Sequence, residues 1–360
     1  MDVFDRIGED EHEQVVYCHD RSAGLRAIIA VHSTRLGPGL GGTRFHPYGS
    51  EDDALTDVLR LARAMTYKAA AAGLDLGGAK AVILGDPATD RSEALLRAYG
   101  RFVDSLGGRY LTAEDVGTTQ ADMDLIRRET RFVTGISREL GGSGDPSDAT
   151  AVGVLWAMRA VARHLWGDTS LAGRHVVVSG VGKVGGRLVE LLVEERARVT
   201  VADVDPAAVA PAVDRFGTGV VPADDAHRTP CDVFSPCALG GVLDAATVPE
   251  LRCAAVVGSA NNQLSDLGAA KLLSEAGVLY ATDYVVNAGG LINIAEELAP
   301  GGYRPERAEA AVRRIFDTTA AVLALAGSEG VTTAEAAEQL AERRIADVAR
   351  VRQIRTAFPP

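Results

Sequence analysis

The sequence HVVVSGVGKVGG, residues 175–186, joins an apolar run to a series of glycines. The apolar run predicts a buried strand, and Gly180, Gly182 and Gly185 predict a tight turn that opens a helix. In such a turn the backbone N–H groups and the helix N-terminus favour a pyrophosphate. Asp203 ends the next predicted strand, ARVTVAD, where its carboxylate can accept hydrogen bonds from ribose hydroxyls. This part of the chain is therefore predicted to bind a dinucleotide.

We predict that the dinucleotide is NAD rather than NADP. Asp203 and Asp205 would repel a ribose phosphate, and no arginine directly follows the strand. Two later segments, SANNQL at 259–264 and NAGG at 287–290, place amide side chains after a strand and before a helix. Such amides can bind a carboxamide or carboxylate, or they form turns and caps. The predicted cofactor contacts in this half are Gly180, Val181, Gly182, Lys183, Val184, Gly185, Asp203, Val204, Asn261, Asn262 and Asn287.

The wider pattern indicates an α/β protein with two domains, since 360 residues exceed one average domain. Strands and helices alternate over residues 175–281, which predicts a parallel sheet with helices on both faces. From residue 287 onward the pattern is helical. GGSGDPS, residues 141–147, is rich in Gly, Ser and Pro and is the predicted hinge. We predict that Ser147 or Asp148 caps the helix after it.

The first half of the chain predicts a second set of strands and helices. The glycines and prolines of LGPGLGGTRFHP, residues 36–47, predict an irregular segment that allows close approach to a ligand. Ser50 is the predicted N-cap of a helix whose apolar positions recur at helical spacing and lead to Lys68. The predicted strands are 14–20, 25–33, 81–84 and 110–112.

Lys68 and Lys80 lie among small and apolar residues in MTYKAAAAGLDLGGAKAV, residues 65–82. Burying an ammonium group without a partner is costly, so the ordinary interpretation is that both side chains reach the surface. The alternative is a cleft in which Lys68 binds an anion and Lys80, desolvated, gives up its proton and acts as an acid/base. Asp115 follows the end of a predicted strand, a common position for function in open sheets.

These residues favour chemistry at a carbon that bears an amine. Alcohol oxidation usually recruits a histidine, a tyrosine or a metal, and none of the histidines stands in a pattern that makes it a candidate for that role. Once hydride has left an amine-bearing carbon, water must attack the iminium. An uncharged Lys80 can deprotonate that water, and Asp115 can carry protons to the departing amine.

Composition excludes several other classes of function. The net charge of −12 argues against a nucleic acid or an anionic membrane as partner. The acidic N-terminal segment does not resemble a signal peptide, and no apolar run is long enough to span a bilayer. The histidines show no metal-ligand spacing, so no metal site is predicted. A cytoplasmic location with reduced thiols is predicted from four cysteines without CxxC spacing, Cys18, Cys231, Cys237 and Cys253.

Segments spread over nearly the whole chain resemble the glutamate/leucine/phenylalanine/valine dehydrogenase family, and within it the branched-chain members. Among them the GGAK motif around Lys80 is close to diagnostic. The segments are LGPGLGGTRF, MTYKAAAAGLDLGGAKAVI, YLTAEDVGTTQADMD, SGVGKVGG, PCALGG, GSANNQL and DYVVNAGGLINIAEEL.

The resemblance implies a role for individual residues. Lys68 would hold the substrate carboxylate, Lys80 would activate water as the catalytic acid/base, and Asp115 would relay protons. Further contacts with substrate or cofactor are implied for Gly41, Gly42, Arg44, Thr150 and Asn262.

The resemblance also implies how the domains are arranged. A substrate-binding and oligomerisation domain would comprise residues 1–140 and about 330–360, and a Rossmann NAD-binding domain residues 141–329. The active site would lie in a cleft between them that closes around cofactor and substrate, and the protein would be a homo-oligomer.

Specificity rests on residues that match the side-chain pocket of leucine-type members: Leu40, Ala113, Leu291 and Ile294. An apolar wall suits valine, leucine and isoleucine, and it disfavours glutamate, whose second carboxylate would lack a cation. One methylene changes selectivity by only roughly 1–3 kcal/mol, so the three are not ranked. Two alternatives remain, namely phenylalanine as the preferred substrate and an NAD-binding protein without catalytic activity.

Overall fold

A computed structural model describes residues 3–351, and the chain divides into two compact units. Within the described residues, the first unit comprises residues up to Asp145 together with 294–305 and the C-terminal helix from Ala341. The second comprises Pro146–Asn293 and Glu306–Leu340. The chain therefore passes between the units several times, and residues distant in sequence share one unit.

The first unit is built on a five-stranded mixed sheet with the order β1-β2-β4-β3-β5. Strands β1 and β2 pair antiparallel, as do β2 and β4, whereas β3 runs parallel to both β4 and β5. Its elements are α1 (Val3–Glu9), β1 (Gln14–Asp20), β2 (Leu25–Ser33), β3 (Gly39–His46), α2 (Glu51–Ala71), β4 (Gly77–Leu84), α3 (Glu93–Ser105), β5 (Tyr110–Glu114) and α4 (Gln120–Ile126).

Helices cover both faces of this sheet because its central strands are apolar on both sides, as strands covered on two faces are. Ile29, Ala81 and Ile83 pack with α3 in one core cluster, and Ile28 and Val82 pack with α2 in another. Helix α2 begins after Ser50, whose hydroxyl accepts a hydrogen bond from the Asp53 backbone N–H at 3.1 Å, as predicted.

The second unit contains a six-stranded sheet, and every strand pair in it is parallel. The order β11-β10-β9-β6-β7-β8 is that of a Rossmann fold, which confirms the prediction from residues 175–186. Its elements are α5 (Ser147–Trp166), β6 (His175–Ser179), α6 (Lys183–Glu194), β7 (Arg198–Ala202), α7 (Pro206–Phe216), β8 (Gly219–Val220), β9 (Val233–Pro236), β10 (Ala255–Val256), α8 (Leu267–Glu275), β11 (Leu279–Tyr280) and α9 (Asp283–Val286).

Between α9 and residue 351 the chain is mostly helical, as predicted, and residues 352–360, which the same prediction covers, lie outside the described residues. The chain returns to the first unit at Ile294, one residue before the end of the helix that starts at Gly289. The C-terminal helix belongs to the first unit from Ala341 onward. These helices are α10 (Gly289–Ala295), α11 (Pro305–Arg313), α12 (Ile315–Glu329) and α13 (Thr333–Val351).

Two local predictions are wrong. Most of residues 36–47 form β3, in the interior of the first sheet, because neighbouring strands supply the hydrogen bonds that propensity alone does not favour. Neither Ser147 nor Asp148 caps α5. Its N-cap is Pro146, which makes no side-chain capping bond, and the Asp148 carboxylate instead accepts a hydrogen bond from Arg187 Nε at 2.6 Å.

Candidate functional site

Lys80 lies in the middle of β4 rather than before a strand, and only 6% of its surface is exposed. Its neighbour on β2 is Ala30. A buried ammonium requires a partner, and Lys80 Nζ lies 2.7 Å from Asp115 Oδ2. The interpretation of Lys80 as an ordinary surface lysine is therefore wrong.

Asp115 occupies a turn that the rest of the unit holds in place. It directly follows β5, and 21% of its side chain is exposed. The Asp115 backbone N–H donates to Thr118 Oγ1 at 2.9 Å, and the same hydroxyl donates to the Thr43 carbonyl at 2.9 Å. The Phe45 backbone N–H donates to the Val116 carbonyl, also at 2.9 Å. These bonds attach the turn to β3, so the carboxylate has little freedom to move away from Lys80.

Gly41 and Gly42 make this arrangement sterically possible. A Cβ atom on Gly41 would lie 1.7 Å from the Ala79 carbonyl oxygen on β4. A Cβ on Gly42 would lie 2.4 Å from the Glu114 carbonyl oxygen and 2.9 Å from Asp115 Cβ. Their role in the described structure is thus the close approach of β3 to the segments that carry Lys80 and Asp115.

Buried hydroxyl groups support β3 from within the unit. Tyr110 Oη donates to the Gly41 carbonyl at 2.8 Å. Thr43 Oγ1 lies 2.6 Å from both Tyr99 Oη and Thr112 Oγ1. All four side chains are fully buried, and buried hydroxyls of this kind fix the geometry of a core only when they are paired.

A chain of alternating charges extends from Lys80. Arg44 Nε lies 3.3 Å from Asp115 Oδ2, and Arg44 Nη1 lies 2.7 Å from Asp57 Oδ2. Tyr48 Oη donates to the same Asp57 oxygen at 2.7 Å. The Asp57 carboxylate thus accepts from both Arg44 and Tyr48 and helps to fix the orientation of the guanidinium.

The charges around Asp115 determine its protonation state. Burial by itself would raise the pKa of the Asp115 carboxyl, but the charges of Lys80 and Arg44 and the hydrogen bond from Lys80 outweigh burial. Its pKa lies below the usual value, so Asp115 is a carboxylate at neutral pH. A carboxylate in contact with an amine can accept a proton from it and return that proton.

The remaining predicted substrate residues lie in different parts of the chain. Lys68 lies in the last turn of α2 and is half-buried. Leu40 and Ala113 are buried on the neighbouring strands β3 and β5. Leu291 and Ile294 both lie on α10, where Leu291 is buried and Ile294 is half-buried.

The glycine turn after β6 has the shape that a dinucleotide requires. Gly180 has φ of +98°, and a side chain there would collide with Ala238. A Cβ on Gly185 would lie 1.9 Å from the Gly180 carbonyl oxygen, so the third glycine permits the helix to pack on the turn. A Cβ on Gly182 would meet no atom within 4 Å, which leaves open space beside the N-terminus of α6. No side chain caps that helix end, so its backbone N–H groups suit a pyrophosphate.

Asp203 lies directly after β7, where it receives two backbone hydrogen bonds. Val181 N donates to Oδ2 at 2.8 Å and Asp205 N donates to Oδ1 at 3.0 Å. Each oxygen retains a lone pair for a ribose hydroxyl. Lys183 and Val184 form the first turn of α6, and Val204 is exposed beside Asp203. These residues fit an adenine dinucleotide.

The amide segments converge within the second unit. Asn287 is buried, and its Nδ2 donates to Asn261 Oδ1 at 2.8 Å and to the Ser259 carbonyl at 3.1 Å. Asn262 is exposed and has a left-handed φ of +51°. Thr150 Oγ1 donates to the Pro146 carbonyl at 3.0 Å. The structure therefore brings Asn261 and Asn287 into contact, and the Asn261–Asn262 pair stays accessible.

Several residues of these two groups were not predicted. Asp57 follows buried Ala54 by three positions on α2, so it lies at the edge of the buried helix face. This helical spacing is the one sequence feature that could have predicted a partly buried position for Asp57. Gln263 is fully buried, and its Nε2 donates to the Gly258 and Ala260 carbonyls. It braces the segment that carries Asn261 and Asn262, and its position in SANNQL gives no sign of this role.

Comparison with known proteins agrees with these features. The model of the Glu/Leu/Phe/Val dehydrogenase dimerisation domain matches residues 12–132. The Glutamate/Leucine/Phenylalanine/Valine dehydrogenase model matches residues 141–212 and 209–353. The chain belongs to this family. Its members are amino acid dehydrogenases, and together with the Rossmann-type sheet this membership implies a nicotinamide cofactor.

Individual relatives are similar over nearly their whole length. The chain is 54% identical to valine dehydrogenase of Streptomyces virginiae, over 93% of this chain and 94% of that protein. It is 50% identical to leucine dehydrogenase of Geobacillus stearothermophilus, over 98% of this chain and 95% of that protein. The crystal structure of L-tryptophan dehydrogenase from Nostoc punctiforme superposes with a TM-score of 0.85 at 41% identity, covering 96% of this chain and 99% of that chain.

Among residues 3–351, no group of three or more His, Cys, Asp or Glu side chains is arranged to hold a metal ion. Within the same residues, every helix is too short or too polar to cross a membrane.

Proposed function

We propose that this chain catalyses the NAD-dependent, reversible oxidative deamination of a branched-chain L-amino acid. The reaction converts the amino acid, NAD⁺ and water into the 2-oxo acid, ammonium, NADH and a proton. The observation that carries the proposal is the buried contact of 2.7 Å between Lys80 Nζ and Asp115 Oδ2. The valine and leucine dehydrogenases at 54% and 50% identity support the class of substrate.

The nicotinamide, when bound, supplies the acceptor for the hydride that leaves the α-carbon. Lys80 in its neutral form takes a proton from the water that adds to the iminium carbon. Asp115 receives a proton from Lys80 across their contact and delivers it to the departing amine. General acid–base catalysis of this kind contributes roughly 10²–10⁴-fold to a rate.

Substrate recognition is assigned to the other predicted residues of both units. Lys68 pairs with the substrate carboxylate, as a positive charge near the end of α2. Gly41 and Gly42 are assigned to the substrate site through their backbone on β3, and Asn262 is assigned to the substrate and the nicotinamide. The side-chain pocket is assigned to Leu40, Ala113, Leu291 and Ile294.

The cofactor is assigned as NAD. The Asp203 carboxylate takes the ribose hydroxyls, and its charge disfavours a ribose phosphate. Gly180–Gly185 would hold the pyrophosphate, and residues 181, 183 and 184 complete the turn. The remaining contacts, near the nicotinamide, are assigned to Arg44, Asp115, Thr150, Asn261, Asn262 and Asn287.

The larger organisation follows from the same proposal. Residues 1–140 with the C-terminal helix bind substrate and form a homo-oligomer, in keeping with the description of the matching family model as a dimerisation domain. Residues 141–329 bind NAD. A cytoplasmic location is supported by four cysteines that are all free thiols.

A substrate panel tests the proposal. Purified protein is mixed with L-valine, L-leucine, L-isoleucine, L-phenylalanine, L-tryptophan or L-glutamate, with NAD or NADP, at alkaline pH, and absorbance of the reduced cofactor is followed. We expect turnover with the aliphatic amino acids and NAD. A preference for phenylalanine, or for the tryptophan on which the Nostoc enzyme acts, would show that the pocket assignment is wrong. Cofactor binding without turnover on any amino acid would favour a catalytically silent NAD-binding protein.

A further inference from the structure

Cys231 and Cys253 lie side by side in the second unit, although 22 residues separate them in sequence. Each precedes the start of its strand by two residues, Val233 for β9 and Ala255 for β10. Those two strands are parallel neighbours, and Val233 pairs with Ala255. The Cys231 backbone N–H donates to the Arg252 carbonyl at 3.0 Å, so the chain segments remain adjacent at the level of the cysteines.

The two thiols also share one face of the sheet. Both cysteines pack against the same apolar cluster, which includes Phe234, Val256 and Leu273. The two thiols are close enough to shift each other's pKa. Both residues are only half-buried, so a small reagent in solution can reach them.

Contact between the two thiols shifts their pKa values in opposite directions, upward for Cys231 and downward for Cys253. The thiolate is the nucleophilic form of cysteine, and the first attack is therefore assigned to Cys253.

We propose that Cys231 and Cys253 form a dithiol site that hydrogen peroxide oxidises to a disulfide. The Cys253 thiolate attacks one peroxide oxygen, the O–O bond breaks, and the leaving oxygen departs as water after taking up the thiol proton. Cys253 is then a sulfenic acid. The Cys231 sulfur attacks the Cys253 sulfur, the S–O bond breaks, and hydroxide leaves with the Cys231 proton as a second water. Two thiols are oxidised and one peroxide is reduced.

The other two cysteines provide internal comparison. Cys18 is buried in the first unit, and burial raises the pKa of its thiol to about 12. Cys237 is six residues after Cys231 in the sequence, but its Sγ contacts Ser235 Oγ at 3.4 Å rather than another thiol. Neither residue has the adjacent sulfur that disulfide formation requires.

Peptide mapping of the folded, full-length protein tests the proposal. The reduced protein is treated with hydrogen peroxide, free thiols are then alkylated, and the chain is digested with trypsin without reductant. Cleavage after Arg228, Arg252 and Lys271 places Cys231 and Cys237 on peptide 229–252 and Cys253 on peptide 253–271. We expect these two peptides to be linked in the native sequence and in Cys237→Ser, and separate in Cys231→Ser and Cys253→Ser. A link that persists in Cys231→Ser, or separate alkylation of Cys231 and Cys253 in the native sequence, would overturn the proposal.

A second measurement uses the native sequence and so does not depend on the folding of a variant. Phenylarsine oxide joins two adjacent thiols through two S–As bonds and releases one water. One equivalent should protect Cys231 and Cys253 together from alkylation and leave Cys237 reactive. Protection of neither cysteine, or of only one, would contradict a paired site.

Discussion

Lys80 Nζ and Asp115 Oδ2 lie 2.7 Å apart although their strands are not neighbours. In the sheet order, β3 separates β4, which carries Lys80, from β5, which Asp115 follows. The contact spans β3 at its glycine pair, since a side chain on Gly42 would collide with Asp115. The Lys80 amine and the Asp115 carboxylate can therefore meet across β3 because the glycines of β3 carry no side chains that would separate them.

Lys68→Ala tests the assignment of the substrate carboxylate to Lys68. Loss of one charge-assisted hydrogen bond costs about 1.5–3 kcal/mol, so KM for the amino acid should rise about 10- to 100-fold. The affinity for NAD should not change. Lys271, an exposed lysine on α8, provides the control variant Lys271→Ala. An unchanged KM in Lys68→Ala would show that another group binds the carboxylate.

Asp57→Asn tests whether the contact of Asp57 with Arg44 positions Asp115. The substitution keeps the size of the side chain but removes the charge that holds Arg44 and Tyr48. We expect kcat/KM to fall about tenfold, equivalent to about 1.4 kcal/mol. The control is Asp53→Asn, an exposed aspartate on the same helix. If Asp57→Asn and Asp53→Asn lowered kcat/KM equally, Asp57 would not position Asp115 through Arg44.

Asp203→Ala tests cofactor selection. The carboxylate is the group expected to accept the ribose hydroxyls and to repel a phosphate, so the ratio of kcat/KM for NAD over NADP should fall by about tenfold or more. In Asp205→Ser the side chain can still cap α7, as Asp205 does now, and the ratio should fall less than in Asp203→Ala because only a repulsive charge is lost. A ratio that Asp203→Ala leaves unchanged would place selection elsewhere.

His32 gives the first unit a pH-dependent stability. Its Nδ1 lies 2.8 Å from Thr66 Oγ1, its Nε2 lies 3.0 Å from the Asp10 carbonyl, and its ring packs edge-on against His12. Burial, together with the neighbouring His12, lowers the pKa of His32 from 6.5 to about 4, although the Asp10 backbone bond opposes the shift. The unfolded chain therefore binds the proton more tightly, and stability is lost as pH falls from about 6.5 toward 4.

His32→Gln should remove this part of the pH dependence. Urea unfolding at several pH values measures it, with His19→Gln at an exposed position as control. If His32→Gln lost stability between pH 6.5 and 4 as steeply as the native sequence, another group would be responsible.

The sequence predicted the second unit better than the first, for physical reasons. Glycine spacing and the acid after β7 report directly on a local turn, so residues 175–186 and Asp203 were sufficient. Strand β3 was missed because its glycines have low strand propensity, and only its neighbours β4 and β5 make it a strand.

The sequence predicts the charged residues of the candidate site, but it does not predict the residues that hold them in position. Lys80 is a charged residue among small and apolar neighbours, and Asp115 follows a predicted strand, so the local sequence is enough to predict both. Asp57, Thr118 and Gln263 act through contacts with residues distant in sequence or through burial, which no local pattern reports. The same holds for Cys231 and Cys253, which lack CxxC spacing and meet only because β9 and β10 are neighbours.

Lys80 is the proposed acid/base of an amino acid dehydrogenase. The most direct test compares initial rates of NADH formation from L-leucine or L-valine for the native sequence, Lys80→Ala and Lys271→Ala, with NAD binding measured in each. We expect Lys80→Ala to bind NAD normally and to lose about 10²–10⁴-fold in kcat, and Lys271→Ala to match the native sequence. A Lys80→Ala variant that binds NAD and keeps most of its rate would contradict the account.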